Sequence, residues 1–585
     1  MTHPNRRHLS VIGPQLPFSD RLHAEKYRGE GETFREAMSR VASALSDNSD
    51  HFHAFRDILL DMRFLPAGRV QAAMGSTRNV TPYNCFVSGT IEDSFVEGSG
   101  SIMDRAKQAA ATMRMGGGIG YDFSTLRPRG ATIKKLASRS SGPVTFMEIY
   151  DAVCRCTASS GHRRGAQMGV LRIDHPDIEE FIRAKHNETR LTGFNVSVAV
   201  TDEFMCALEL DEPFPLRFGR DVYKTVDPKA LWNTLMRSTW DWAEPGVLFI
   251  DRINSENNLH YCEEIAATNP CGEQPLPPFG ACLLGSFNMT RYLKPVPEGF
   301  EHGGWELDWR AFMADITPVV RAMDNIIDRA TYPLYEQEKE AKSKRRMGLG
   351  VTGMANAIEA MGYPYGSEKY LTVQDGILST LRNCAYLDSS SLAQEKGPFP
   401  LYDKRLLDSG FASRLTWPVR SAVEQHGLRN SHLISIAPTG TISLCADNVS
   451  SGIEPVFAHE VERLVMMSDG ARTERFKDYG LAHFGVRGRT SAEVTVDEHL
   501  AVLTRAQRYV DSAVSKTCNV PPSTPWEDFK ALYVKAWKAG AKGCTTFQTG
   551  GMRSGIMEDA APVKEEEEPA PACRIDAETG RRECE

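Results

Sequence analysis

Apolar residues return every three or four positions from Thr33 to Leu45 (TFREAMSRVASAL) and again from Asp497 to Ser515, the spacing of amphipathic helices. Elsewhere they run without interruption: Val196 to Val200 (VSVAV) and His432 to Ile436 (HLISI) read as buried strands. From about residue 80 to 555 the two patterns alternate, which predicts an α/β architecture. Residues 1–80 are mixed and mainly helical, and no internal repeat is visible. No stretch approaches the roughly 18 apolar residues of a membrane-spanning helix. Met1 to Pro17 is polar and basic without the apolar centre of a secretory signal. The expectation is a cytoplasmic chain that does not enter the membrane.

Composition changes this picture at one place. Beyond Met557 comes a run of glutamates, Glu565 to Glu568, and then Pro-Ala-Pro-Ala. Such a segment cannot form a core and reads as a self-repelling linker ending in Cys573 and Cys584. Three regions result: 1–80, a helical region; 81–555, an α/β core; and 556–585, an acidic tail with two cysteines. The 585 residues carry a net charge of −8. That excludes the broad basic footprint of a protein that coats nucleic acid, while a local set of donors can still hold a phosphorylated small molecule. The 13 cysteines are odd in number and dispersed, with no CxxC pair, so neither a disulfide framework nor a metal site is expected.

Two segments concentrate chemistry. Asn269-Pro270-Cys271-Gly272-Glu273-Gln274-Pro275, continuing to Ala281-Cys282, is a Gly/Pro-rich loop carrying an amide, a thiol and a carboxylate at alternate positions. In an extended stretch these would share one face, giving a thiol for atom transfer, a carboxylate for proton transfer and an amide to orient a hydroxyl. A tight loop with a structural cysteine is the plainer alternative. Ala437-Pro438-Thr439-Gly440-Thr441-Ile442-Ser443 places three hydroxyls and a glycine in a short turn suited to phosphate, or equally to capping a helix. The glycine-rich Gly116 to Arg127 (GGGIGYDFSTLR) lacks the order of a dinucleotide fingerprint.

The NPCGEQP...AC string closely resembles the finger loop of ribonucleotide reductases, above all the adenosylcobalamin-dependent class. Other segments match that family in order: Phe64 to Gly75 (FLPAGRVQAAMG), Tyr83 to Val87 (YNCFV), Gly116 to Arg127, Ser141 to Val144 (SGPV), Arg163 to Gly169 (RRGAQMG), Arg345 to Gly353 (RRMGLGVTG, read as structural), the PTGT turn, and Ser451 to Pro455 (SGIEP). The resemblance implies a ten-stranded α/β barrel with the finger loop at its centre. It implies a thiyl radical on Cys271, proton transfer by Glu273, and orientation of the ribose by Asn269. Cys85 and Cys282 become the reducing pair. Thr439, Gly440, Thr441 and Ser443, together with Ser141 and Gly142, fall on the substrate. Arg163, Arg164 and Gln167 fall on the loop that responds to a deoxynucleotide or ATP effector. Cys573 and Cys584 become a tail shuttle re-reduced by a thioredoxin-like partner.

Class assignment follows from the same resemblance. The chain has neither the glycyl-radical ending nor the tandem tyrosine of the class that takes its radical from a separate subunit. Adenosylcobalamin is therefore the implied cofactor. The expected substrates are ribonucleotides, diphosphates in the first instance, and the expected assembly is a homodimer without nucleic acid. The competing readings are a large subunit needing a separate radical protein, a regulatory nucleotide-binding barrel without the chemistry, and a structural metal protein.

Overall fold

The computed structural model describes residues 12–133, 137–157, 166–187, 189–296, 304–467 and 470–548, with three two-residue strands beyond them. Arg163, Arg164, Cys573 and Cys584 lie outside the described residues. No helix among the described residues is long and apolar enough to cross a membrane.

The N-terminal region forms helices Pro17–Tyr27, Phe34–Leu45 and Ser49–Leu60. Thr33 starts the second with a capping box: its side chain accepts from Glu36 N while the Glu36 carboxylate returns to the Thr33 N–H. Val41, Leu45, Phe55 and Ile58 are buried in the same core as Phe64, Phe287, Phe312 and Ile316. The first 80 residues therefore lean on the rest of the chain and have no separate core.

The larger sheet has eight strands, in the order Ala281–Cys282, Cys85–Val87, Gly118–Asp122, Gln167–Arg172, Phe194–Val200, Gly246–Phe249, Gly543–Gln548, Thr517–Val520. From Cys85–Val87 to Gly246–Phe249 every neighbouring pair is parallel, and helices fill the crossovers between them. Val196, Val198 and Val200 are buried, as a strand covered on both faces requires. A second sheet of three strands runs Phe64–Pro66, Leu284–Asn288, Gly348–Thr352. The architecture is thus mixed α/β in two sheets; no closed ten-stranded sheet forms among the described residues.

Two expected elements differ. His432 to Ile436 is buried but makes only isolated bridges, Leu349 to Ile434 and Ile436 to Val514, linking the smaller sheet toward the larger. The late helix spans Val496–Gln507 and stops short of Ser515. Buried Asp511 accepts the N–H groups of Leu433 (2.7 Å) and Ile434 (3.0 Å), which pulls 511–515 out of helix and into register with 434–436.

Both sheets carry glycines two residues apart, so each pair lies on one face. A Cβ on Gly120 would overlap Thr268 O outright, and one on Gly118 would stand 3.2 Å from both Pro270 Cγ and Cys85 Sγ. On the opposite sheet, a Cβ on Gly348 would lie 2.7 Å from Gln274 Nε2, and one on Gly350 would overlap Ser435 O. None of the four has a left-handed φ, so glycine is needed here for space. The space beside Gly118, Gly120 and Gly348 is taken by Pro270, Thr268 and Gln274 of one hairpin, and that beside Gly350 by the Ser435 backbone.

Gly120→Ala should cost more than the roughly 1–3 kcal/mol of ordinary overpacking, because the obstacle is backbone. Calorimetry should show a lowered Tm, while Gly29→Ala, whose nearest neighbour would be 3.5 Å away, should be close to neutral. Equal Tm values for the two variants would refute this need for space.

Candidate active site

The loop at the centre is a hairpin. Ala267–Thr268 pairs antiparallel with Pro275–Leu276, leaving 269–274 as the connection. Asn-Pro-Cys-Gly has the residue preferences of a β-turn, with Asn first, Pro second and Gly fourth. Gly272 N donates to Asn269 O at 3.1 Å, and Gly272 takes φ +80°, which glycine tolerates without strain. Asn269 Oδ1 accepts from Gln274 N at 3.0 Å and closes the loop from inside. This overturns the extended reading. Cys271 is exposed at the tip, whereas Asn269 and Glu273 are buried behind it.

Neighbouring elements hold the tip from both sides. Asn195 Nδ2 donates to Pro270 O at 2.9 Å. Glu273 O accepts from Ser435 Oγ at 3.0 Å and from Ala513 N at 2.9 Å. The loop is pre-set in one position by partners from three separate elements. Asn269 Nδ2 has no hydrogen-bond partner among the described residues although it is buried. An unmet donor of this kind costs about 1–3 kcal/mol, which a ligand oxygen would recover.

Behind the tip, Cys85 and Cys282 are direct partners across an antiparallel strand pair. That register brings Cα atoms to within about 5.5 Å, inside the range a disulfide needs. Neither is in a disulfide in this structure. Burial is the main cause that pushes the Cys282 thiol well above its ordinary value; Cys85, Glu273 and Cys271 add to it as nearby negative charges. Cys282 therefore stays protonated at neutral pH.

Cys85, Cys271 and Glu273 line a cavity of about 910 Å³. Pro438, Thr439, Gly440 and Thr441 line it too, at the start of the short helix Gly440–Cys445. The four expected turn residues divide into two pairs. Gly440 and Thr441 are exposed. Thr439, at φ +51°, and Ser443 turn their hydroxyls away, into a triangle with Thr352 of 2.9–3.0 Å sides. Thr439 Oγ1 also accepts from Gly452 N at 2.8 Å. These two hydroxyls brace the turn, while Gly440 and Thr441 are exposed where the turn lines the cavity.

Other expected residues lie away from this cavity. Ser141 and Gly142 sit at the start of helix Pro143–Cys156 and are not among the residues lining it. Gln167 is buried in its strand, its amide accepting from Tyr121 Oη (2.8 Å) and donating to Tyr150 O (3.2 Å). Conversely, Lys26, Arg69 and Arg78 line the cavity and escaped the sequence reading. The only signal was that Arg69 falls in the FLPAGR segment, which matched the family but carried no assigned role.

Comparison with known proteins places this geometry. The family model described as ribonucleotide reductase, barrel domain, matches residues 83–476 and 487–547. A vitamin B12-dependent ribonucleoside-diphosphate reductase of Mycobacterium tuberculosis (strain CDC 1551 / Oshkosh) is 34% identical, over 92% of this chain and 79% of the relative. One from Thermoplasma acidophilum is 30% identical, over 88% of this chain and 67% of the relative. A vitamin B12-dependent ribonucleotide reductase of Streptomyces clavuligerus is 27% identical, over 90% and 62% respectively.

Two outcomes follow from the site. At pH 8, iodoacetamide and peptide mapping should find Cys271 modified well before Cys282; comparable rates on the native protein would contradict the burial and the raised thiol. Ser443→Ala should lower stability by about 1–3 kcal/mol with little change in substrate KM, whereas Thr441→Ala should raise KM and leave Tm in place. The reverse pattern would mean the hydroxyl roles are exchanged.

Proposed function

The chain belongs to the ribonucleotide reductase family, and from that premise we propose that it reduces ribonucleoside diphosphates to 2′-deoxyribonucleoside diphosphates with adenosylcobalamin, so supplying DNA precursors. The observation that carries this reading is the direct pairing of Cys85 with Cys282, with Cys85 and the exposed Cys271 lining one cavity. Two electrons can leave a paired dithiol while a third thiol handles hydrogen.

The residues fit the cofactor in one respect that can be read directly. Cys271 is the exposed residue of this loop on a cavity of about 910 Å³, with Glu273 more deeply set on the same cavity, so the thiol is the most open group that a 5′-deoxyadenosyl moiety would meet there. When bound, adenosylcobalamin supplies one-electron initiation at that thiol. The rest falls to the chain. The Cys271 thiyl takes the 3′-hydrogen of the ribose. Glu273 accepts the 3′-hydroxyl proton, and Asn269 Nδ2 donates to a ribose hydroxyl. The 2′-hydroxyl leaves as water on receiving a proton from the Cys85/Cys282 pair, and Cys282 is held in the protonated form this requires. The pair gives up two electrons and closes as a disulfide; Cys271 returns the hydrogen to C3′. The balance is one ribonucleotide and two thiols in, one deoxyribonucleotide, one water and one disulfide out. The turn at Gly440 and Thr441 receives the phosphates.

Finer features belong to the same proposal. The bridges Leu349–Ile434 and Ile436–Val514, with the chain running directly from Cys282 into Leu284–Asn288, support reading the two sheets as arcs of one ten-stranded barrel. Residues 81–555 form the catalytic region, 1–80 a helical region, and 556–585 a tail whose Cys573 and Cys584 exchange with the disulfide and are restored by a thioredoxin-like reductant. Arg163 and Arg164 belong to the loop answering a deoxynucleotide or ATP effector, in a homodimer.

Anaerobic turnover of CDP and CTP with dithiothreitol tests the proposal. Product is expected only with adenosylcobalamin, from CDP ahead of CTP, and not from Cys271→Ser. Activity that instead requires a separate metal-radical protein would move the chain to the two-subunit class. Turnover surviving in Cys271→Ser, or steady turnover in Cys85→Ser, would remove the assigned roles.

A further inference from the structure

We propose that the terminal phosphate of the substrate is held by a cationic wall from the N-terminal region, Lys26, Arg69 and Arg78, and that this wall sets how many phosphates the enzyme accepts. The inference rests on reading the cavity as the substrate site.

The turn alone is a poor receptor for two phosphates. Thr439 and Ser443 spend their hydroxyls on Thr352, so the turn offers one hydroxyl and a few backbone N–H groups, and no cation. A second phosphate adds negative charge in a chain already at −8. Such charge is best met by guanidinium and ammonium groups, Arg in a two-pronged manner. Lys26, Arg69 and Arg78 line the same cavity, with Glu25 the one carboxylate from that wall.

The wall has a fixed position. Helix Pro17–Tyr27 packs on both Gly440–Cys445 and Gly68–Ala73. It is tied to the helix that begins at the turn: Asp447 accepts from Gln15 N and Leu16 N at 2.9–3.0 Å, and Ser19 Oγ donates to Leu444 O at 2.7 Å. Arg69 is packed in place, its guanidinium occupying the space that a side chain on Gly116 would take. Gly116 has φ +94°, a second reason for glycine there. Arg78 is held by donation from Nη2 to Arg28 O. Guanidinium groups fixed before the ligand arrives lose little freedom on binding it.

The test is calorimetric binding of CDP, CTP and CMP to the full chain, paired with kcat and KM on the cobalamin-loaded enzyme. Arg69→Gln should weaken CDP by about tenfold to a hundredfold and CMP by much less, with kcat nearly kept and Arg69→Lys recovering part of the loss. Lys26→Gln, a more flexible ammonium, and Arg78→Gln, at an exposed position, should each weaken CDP by about threefold and leave CMP unchanged. If Arg69→Gln unfolds, those two variants carry the test. Equal losses for CDP and CMP, or none, would overturn the wall while leaving the proposed reaction intact. Absence of CDP binding to the unaltered chain would instead take down the reading of the cavity itself.

Discussion

Space for a backbone is the constraint on which this structure depends. A hairpin can enter between two sheets only where the facing strands have nothing to put in its way, and Gly118 and Gly120 on one side and Gly348 on the other meet that need. A close-packed interior does not yield to an inserted loop by spreading. The loop therefore has one depth and one register, fixed further by Asn195, Ser435 and Ala513. From that depth follow the exposure of Cys271 and the burial of Asn269 and Glu273. Position comes first here, and reactivity follows from it.

The thiols illustrate how burial divides labour among identical groups. Cys271 stands at the cavity wall, reachable by a radical source. Cys282 is fully buried among other acidic groups, and its ionisation is suppressed by the lack of water. A thiol kept protonated is a poor nucleophile but a ready proton donor, and it resists casual oxidation. Cys85, nearly as buried, meets the cavity from the same strand pair. In the proposed reaction, depth is what separates the exposed thiol from the buried pair.

What was legible in the sequence was mostly local. The helix from Thr33 to Leu45, the strand at 196–200 and the chemical content of NPCGEQP all rest on residues close together in the chain. The loop was misread as extended although Asn-Pro-Cys-Gly spells a turn, because the alternation of functional side chains was the louder pattern. The end of the late helix depended on Asp511 reaching Leu433 and Ile434, which no helical periodicity reveals. Thr439 and Ser443 looked like phosphate ligands until Thr352, nearly ninety residues earlier, took their hydroxyls. The cations of the cavity wall were invisible for the same reason: nothing local says that residues 26, 69 and 78 meet 440.

The pairing of Cys85 with Cys282 also has a consequence for the birth of the chain. Their strands are adjacent in space but separated by 282 − 85 = 197 residues of sequence. At a synthesis rate of about 5–20 residues per second, the first cysteine waits roughly 10–40 seconds before its partner exists. The same delay applies to Phe64–Pro66, whose neighbour is Leu284–Asn288. The nascent N-terminal helices can pack on one another but emerge before Phe287 and Phe312, which complete their core. Assembly of the reducing pair is the late act of a fold that must hold its first eighty residues in reserve.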